Sequence, residues 1–115
     1  MENYVLEGKK HWLFHRLSAI LLLPLIFWCI YSLSLVPEIS YDNMILWVSN
    51  TTNFIFLCAL IIVSAHHFQL GIQVIFEDYI SNISKRNFLI KIVHILYYIL
   101  CIVGLFSLAI IYFGV

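Results

Sequence analysis

LSAILLLPLIFWCIYSLSLV, residues 17–36, carries no charged side chain. That is about 20 residues, the length a helix needs to cross a hydrocarbon layer of roughly 30 Å. The rest of the chain decides whether the run is a soluble core or a membrane span. Of 115 residues, 63% are hydrophobic and only 10% charged, with a mean hydropathy of +1.01. A soluble domain needs about a quarter of its residues charged. The solvent for this chain is therefore lipid. The formal net charge is zero, which argues against nucleic acid as a partner.

Downstream, Pro37 and the polar run Glu38 to Asn43 end the first span. Asn43 to Phe76 is again uncharged but too long for a single crossing, and Asn50-Thr51-Thr52-Asn53 divides it. Met44 to Val48 is expected to form an interfacial turn or helix anchored by Trp47. Ser81 to Asn87 reads as a polar loop. The expected spans are about 12–36, 53–78 and 88–112, in one domain covering 1–115. Backbone groups in lipid must be satisfied within the segment, so each span is a helix. Alternating strands of a barrel do not fit such continuous apolar runs. The fold class expected is an all-α membrane protein with three transmembrane helices.

Lys9, Lys10, Arg16, Lys85, Arg86 and Lys91 are the basic residues, and none lies between the first two spans. Basic residues stay on the cytoplasmic side. The N-terminus and the second loop are thus expected in the cytoplasm or matrix, and the C-terminus on the opposite side. No cleavable signal or transit peptide is evident in MENYVLEGKKHW. A bacterial inner membrane is the first expectation, a mitochondrial inner membrane the alternative. Cys29, Cys58 and Cys101 lie in apolar runs without metal-ligand spacing and read as packing residues.

The second span carries the chemistry: AHHFQLGIQVIFEDYI, residues 65–80. Ionisable groups within a span are costly and usually functional. At 100° per residue, His67, Gly71, Val74 and Asp78 share a stripe, and His66 points about 100° away. An imidazole beside a glycine suits an axial haem ligand, which needs a nitrogen lone pair and a face cleared of bulk. It equally suits a histidine bonded to a neighbouring helix, with Gly71 as a packing contact. A proton relay through His66, His67 and Asp78 is a third reading. Tyr79 fits a membrane-interface anchor or a hydrogen-bond donor to a quinone carbonyl. Arg16 fits a snorkelling side chain or a partner for a carboxylate. Gln69 and Gln73 are expected to meet a partner helix. Counted from the expected span ends at about 1.5 Å per residue, His67 and His94 differ in depth by roughly 7 Å. A second axial nitrogen is therefore expected from another subunit.

Two stretches resemble a known family. HWLFHRLSA (residues 11–19) is similar to its His/Trp run followed by Arg-x-Ser/Thr. His67-x3-Gly71-x6-Asp78-Tyr79 is similar to its second-helix motif. The family is the small hydrophobic membrane anchor, of cytochrome b type, of succinate dehydrogenase (respiratory complex II). The resemblance implies a chain that catalyses nothing alone. It implies three partners: a second membrane-anchor subunit, an iron–sulfur subunit and a flavoprotein subunit. It further implies one haem b shared with the partner anchor and ubiquinone as substrate. His67 then matches the axial ligand of the haem iron. Arg16 matches the arginine near the haem propionates. His11 stands one residue from the family's histidine, whose position Lys10 occupies. Tyr79 matches the quinone-bonding tyrosine, with Asp78 beside it. A fumarate reductase anchor, or a non-redox structural or assembly protein, remains the alternative function.

Overall fold

A helix starts where a side chain takes up backbone N–H groups that have no helical partner. Three polar residues do this between the apolar runs. The Ser40 hydroxyl accepts from the Asn43 amide at 3.3 Å. The Asn50 side chain accepts from the amides of Thr52 and Asn53 at 3.0 and 3.2 Å. The Asn82 side chain accepts from the Lys85 amide at 3.0 Å. The computed structural model describes residues 2–114, and side chains from residue 6 onward. Its helices are α1 (Glu2–Ser34), α2 (Tyr41–Ser49), α3 (Thr51–Tyr79) and α4 (Ile83–Phe113). No strand occurs among the described residues.

The three long helices are each long and apolar enough to cross a membrane. Their ends differ from the sequence expectation in an instructive way. The central span, expected at 53–78, is α3 at Thr51–Tyr79. The outer two extend well beyond their apolar runs. α1 starts at Glu2 rather than near residue 12 and stops at Ser34 rather than 36. α4 starts at Ile83, so most of the expected loop Ser81–Asn87 is helical. Hydropathy marks where lipid begins, but a polar turn capped by Asn82 stays helical in water. Pro24 lies inside α1 and removes one helical hydrogen bond, which membrane helices tolerate.

The expected interfacial segment Met44–Val48 is α2, longer by a turn. Trp47 points inward as well as anchoring. Its indole Nε1 donates to Ser32 Oγ at 2.8 Å, and its ring stacks on Trp28 at 5.9 Å. Trp28 in turn meets the edge of Phe56 on α3.

α3 lies in the middle. It packs against α1 on one flank and α4 on the other, and α2 closes over one end of α3 and α4. The backbones of α1 and α4 stay apart, but Phe14, Leu17 and Leu21 of α1 and Tyr97 of α4 line one cleft with His66. The bundle is elongated, 54 × 25 × 22 Å, and on one side of α3 a cleft of about 340 Å³ is lined from all three long helices. On the α4 flank a Cβ at Gly104 would lie 3.1 Å from Ile61 Cδ1. At the α2 end, Thr51 Oγ1 and the Tyr112 hydroxyl are 2.9 Å apart, and Phe54 stacks on Tyr112 at 4.2 Å.

Candidate functional site

The polar side chains of the spans gather where α1 crosses α3. His11, His15 and Ser18 recur on α1 at intervals that keep them on one face. That face meets α3. Ser18 is buried, 5% exposed. Its Oγ lies 2.8 Å from Nδ1 of His67 and donates to the His15 carbonyl at 2.7 Å. The His15 and His67 rings are 4.9 Å apart and tilted by 35°. Below them a cleft of about 570 Å³ opens between the two helices, lined by Glu7, Gly8, His11, Trp12, His15, Val74 and Glu77. Nε2 of His11 is buried without a hydrogen-bond partner.

The stripe expected on α3 is therefore split. His67 and Val74 face α1. Gly71 has no atom within 4 Å of where a Cβ would stand, so the space beside it is open. Asp78 is exposed, and Glu77 takes the cleft-lining place that Asp78 was expected to share. Tyr79, the last residue of α3, is 84% exposed. Beside it Ile80, Ser81, Asn82, Lys85 and Leu89 line a shallow cleft of about 450 Å³. Asp78 and Tyr79 lie about 16 and 18 Å along the helix from His67.

His66 addresses the other helix. Its ring meets the edge of Tyr97 on α4 at 6.1 Å. The two histidines point about 100° apart: His67 bonds Ser18 on α1, and His66 lines a cleft of about 340 Å³ shared by α1, α3 and α4. Gln69 is buried, 8% exposed, whereas Gln73 donates to Glu77 Oε1 at 3.0 Å along α3 itself. Neither glutamine is simply turned outward for a partner.

Arg16 is exposed, and its guanidinium carbon sits 5.0 Å over the Trp12 ring. Two residues before Ser18, it lies only about 3 Å along the axis from the His67 level. It sits well inside the level of Asp78, rather than beside it. Contacts across the helices set the depth of His94. His66 meets Tyr97 and Ile61 approaches Gly104, so His67 is level with about residue 97 and His94 lies roughly 5 Å nearer the turn between α3 and α4. Direction separates them further. His67 faces α1, whereas His94 is on α4, across α3, with its Nε2 buried and unpaired.

Ser18 is the functional candidate that the sequence reading did not single out. The signal was present: a hydroxyl three residues after His15 and seven after His11, on the face those histidines define.

Three membrane-length helices, with their ionisable side chains gathered toward one end, define a small multi-pass membrane anchor. The chain matches the model of the succinate dehydrogenase/fumarate reductase transmembrane subunits over residues 6–110 and belongs to that family. It is similar to the succinate dehydrogenase hydrophobic membrane anchor subunit of Rickettsia bellii (strain RML369-C). The two are 41% identical, over 94% of this chain and 85% of that one. The protein of the same description from Rickettsia prowazekii (strain Madrid E) is 37% identical over the same shares. The succinate dehydrogenase membrane anchor subunit of Reclinomonas americana is 29% identical over 77% of this chain and 79% of that one. No solved structure matches the chain significantly. Family membership implies a complex with other succinate dehydrogenase subunits. The Rickettsia relatives and the three long helices fit a multi-pass protein of a bacterial inner membrane.

Proposed function

We propose that this chain is the membrane anchor of a succinate:quinone oxidoreductase, supplying one axial ligand of a haem b and one wall of a ubiquinone site. The observation that supports this most directly is the pairing of His67 with Gly71. A mid-span imidazole is held through Nδ1, and the next turn of the same helix is clear of atoms. Those are the two requirements of an axial nitrogen against a flat macrocycle: a fixed donor and an open face. A histidine serving only to pack helices would make the same bond to Ser18, but it would not need the open turn at Gly71.

Each side chain then has a task. His67 presents a neutral nitrogen. Arg16, near the same depth and without an ion-pair partner among the described residues, is placed to meet a haem propionate, and His11 lines the cleft one step nearer the helix ends. When bound, the haem supplies a one-electron store between subunits. Tyr79 donates its phenol hydrogen to a quinone carbonyl at the end of α3, and Asp78 beside it accepts or relays protons. Electrons taken from succinate in the flavoprotein pass through the iron–sulfur subunit to quinone at that end. The six basic residues all lie at the end of the bundle where α1 and α4 begin, or within a few turns of it. We assign that end to the cytoplasm. The second axial nitrogen belongs to the partner anchor, because His94 stands across α3 from His67.

The test is a reduced-minus-oxidised optical spectrum of the purified complex. His67→Ala should abolish or shift its b-type bands, and His66→Ala should leave them nearly intact. Bands unchanged in His67→Ala and lost in His66→Ala would reverse the assignment. A complex without any haem would favour the non-redox anchor.

A further inference from the structure

We propose that Ser18 is a positioning residue that holds the His67 imidazole in its Nδ1–H form, leaving the Nε2 lone pair for a metal. This rests on the haem reading of His67 and adds to it the residue that decides which nitrogen is offered.

A serine hydroxyl has one hydrogen to give and two lone pairs to receive with. Ser18 Oγ stands 2.7 Å from the His15 carbonyl oxygen, which can only accept. The single hydroxyl hydrogen belongs in that contact, as is common for serine on a helix. The other contact, 2.8 Å to Nδ1 of His67, must then carry a hydrogen from the imidazole. The reverse order would point Ser18 at Nδ1 and leave two oxygens facing each other at 2.7 Å without a hydrogen between them. Ser18 is only 5% exposed, so water cannot relieve that clash, and repulsion is stronger in a low-dielectric interior. The neighbouring His15 ring, 4.9 Å away, further limits rotation of the imidazole. A neutral imidazole has two tautomers, and its second nitrogen is set by what the first one bonds. Metal-ligating histidines characteristically give their other N–H to an oxygen, which fixes the ring and raises its basicity.

The test uses the assembled complex as wild type, Ser18→Ala and Ser18→Thr, read in two ways. The first is ¹⁵N-histidine NMR of complex from haem-starved cells, with His67→Gln identifying the resonances. Wild type and Ser18→Thr should show His67 as the Nδ1–H tautomer, and Ser18→Ala a mixture of both. The second is potentiometry with electron paramagnetic resonance of the haem-loaded complex. Losing the acceptor weakens donation to ferric iron. Ser18→Ala should therefore shift the ferric/ferrous balance about fivefold toward ferrous, some 40 mV at 59 mV per tenfold. Ser18→Thr should restore it. An Nε2–H tautomer at His67 in the wild type would overturn the proposal. So would a Ser18→Ala complex with wild-type potential and resonance positions. If the tautomer result holds while His67→Ala retains its haem, the serine lock stands and the haem assignment fails.

Discussion

His66 and His67 differ by one position and by the helix they address, and that decides which can serve a cofactor on the α1 side. Gly71 gives the clearest test at this scale. A methyl there enters open space, so Gly71→Ala should leave both assembly and haem content intact. Gly71→Leu should still insert and assemble but lose most of its haem in a pyridine haemochrome assay. Full haem in the leucine variant would mean that the macrocycle does not lie over this turn. Tyr79 offers a second test. It is the exposed last residue of α3, and phenylalanine keeps its shape but cannot donate. One lost hydrogen bond costs about 1 kcal/mol, roughly fivefold in rate. Tyr79→Phe should slow succinate-to-quinone turnover severalfold, while dye reduction by the hydrophilic subunits and haem content persist. Wild-type quinone turnover would return Tyr79 to an interface role. The sequence made these residues legible, because ionisable groups and glycine in a span have few cheap explanations. It made Ser18 legible only as the serine of the Arg-x-Ser/Thr stretch; its contact with His67 comes from the crossing of α1 and α3.

Among the elements, α3 and α4 come close at Gly104, a small residue that lets helices approach in lipid. A Cβ at Gly104 would sit 3.1 and 3.3 Å from two Ile61 side-chain carbons, so a larger residue must displace the Ile61 side chain or the helix. Gly104→Val should destabilise the packing by about 1–3 kcal/mol, seen as a lower midpoint for thermal inactivation of the complex. Adding Ile61→Ala should recover part of it. An unchanged midpoint in Gly104→Val would show that α4 shifts freely along α3. Apolar periodicity was enough to count and place the three spans. It misjudged where α1 and α4 begin, since Glu7, Lys9, Lys85 and Arg86 lie on solvated helix rather than in loop. It also could not show that the Trp47 indole bonds Ser32, a contact between segments that hydropathy treats independently.

For the molecule as a whole, buried side chains are few: Ser18, Val48, Gln69 and Leu70 among the described residues. Large apolar residues such as Phe27, Ile30, Phe68 and Phe106 are exposed along the spans. Lipid can cover apolar side chains, but it cannot meet the polar groups that line the cleft between α1 and α3. Made without its partner subunits, the chain should therefore be cleared quickly in pulse–chase labelling. Co-expression of the partner anchor should lengthen its lifetime severalfold. Equal lifetimes with and without partners would show that the three-helix bundle is stable by itself. Class and family were readable from composition and two motifs. The central place of α3 was not, because composition does not say which helix sits in the middle.

That α3 separates α1 from α4 also sets an order of events at the ribosome. Ser18 and His67 are 49 residues apart, which elongation covers in roughly 2 to 10 s. α1 must wait that long in the bilayer for the face that completes it. Once α3 has inserted, the crossing of Ser18 and His67 can form before α4 docks, and Tyr97 of α4 then closes a cleft that Ser18 and His66 already line.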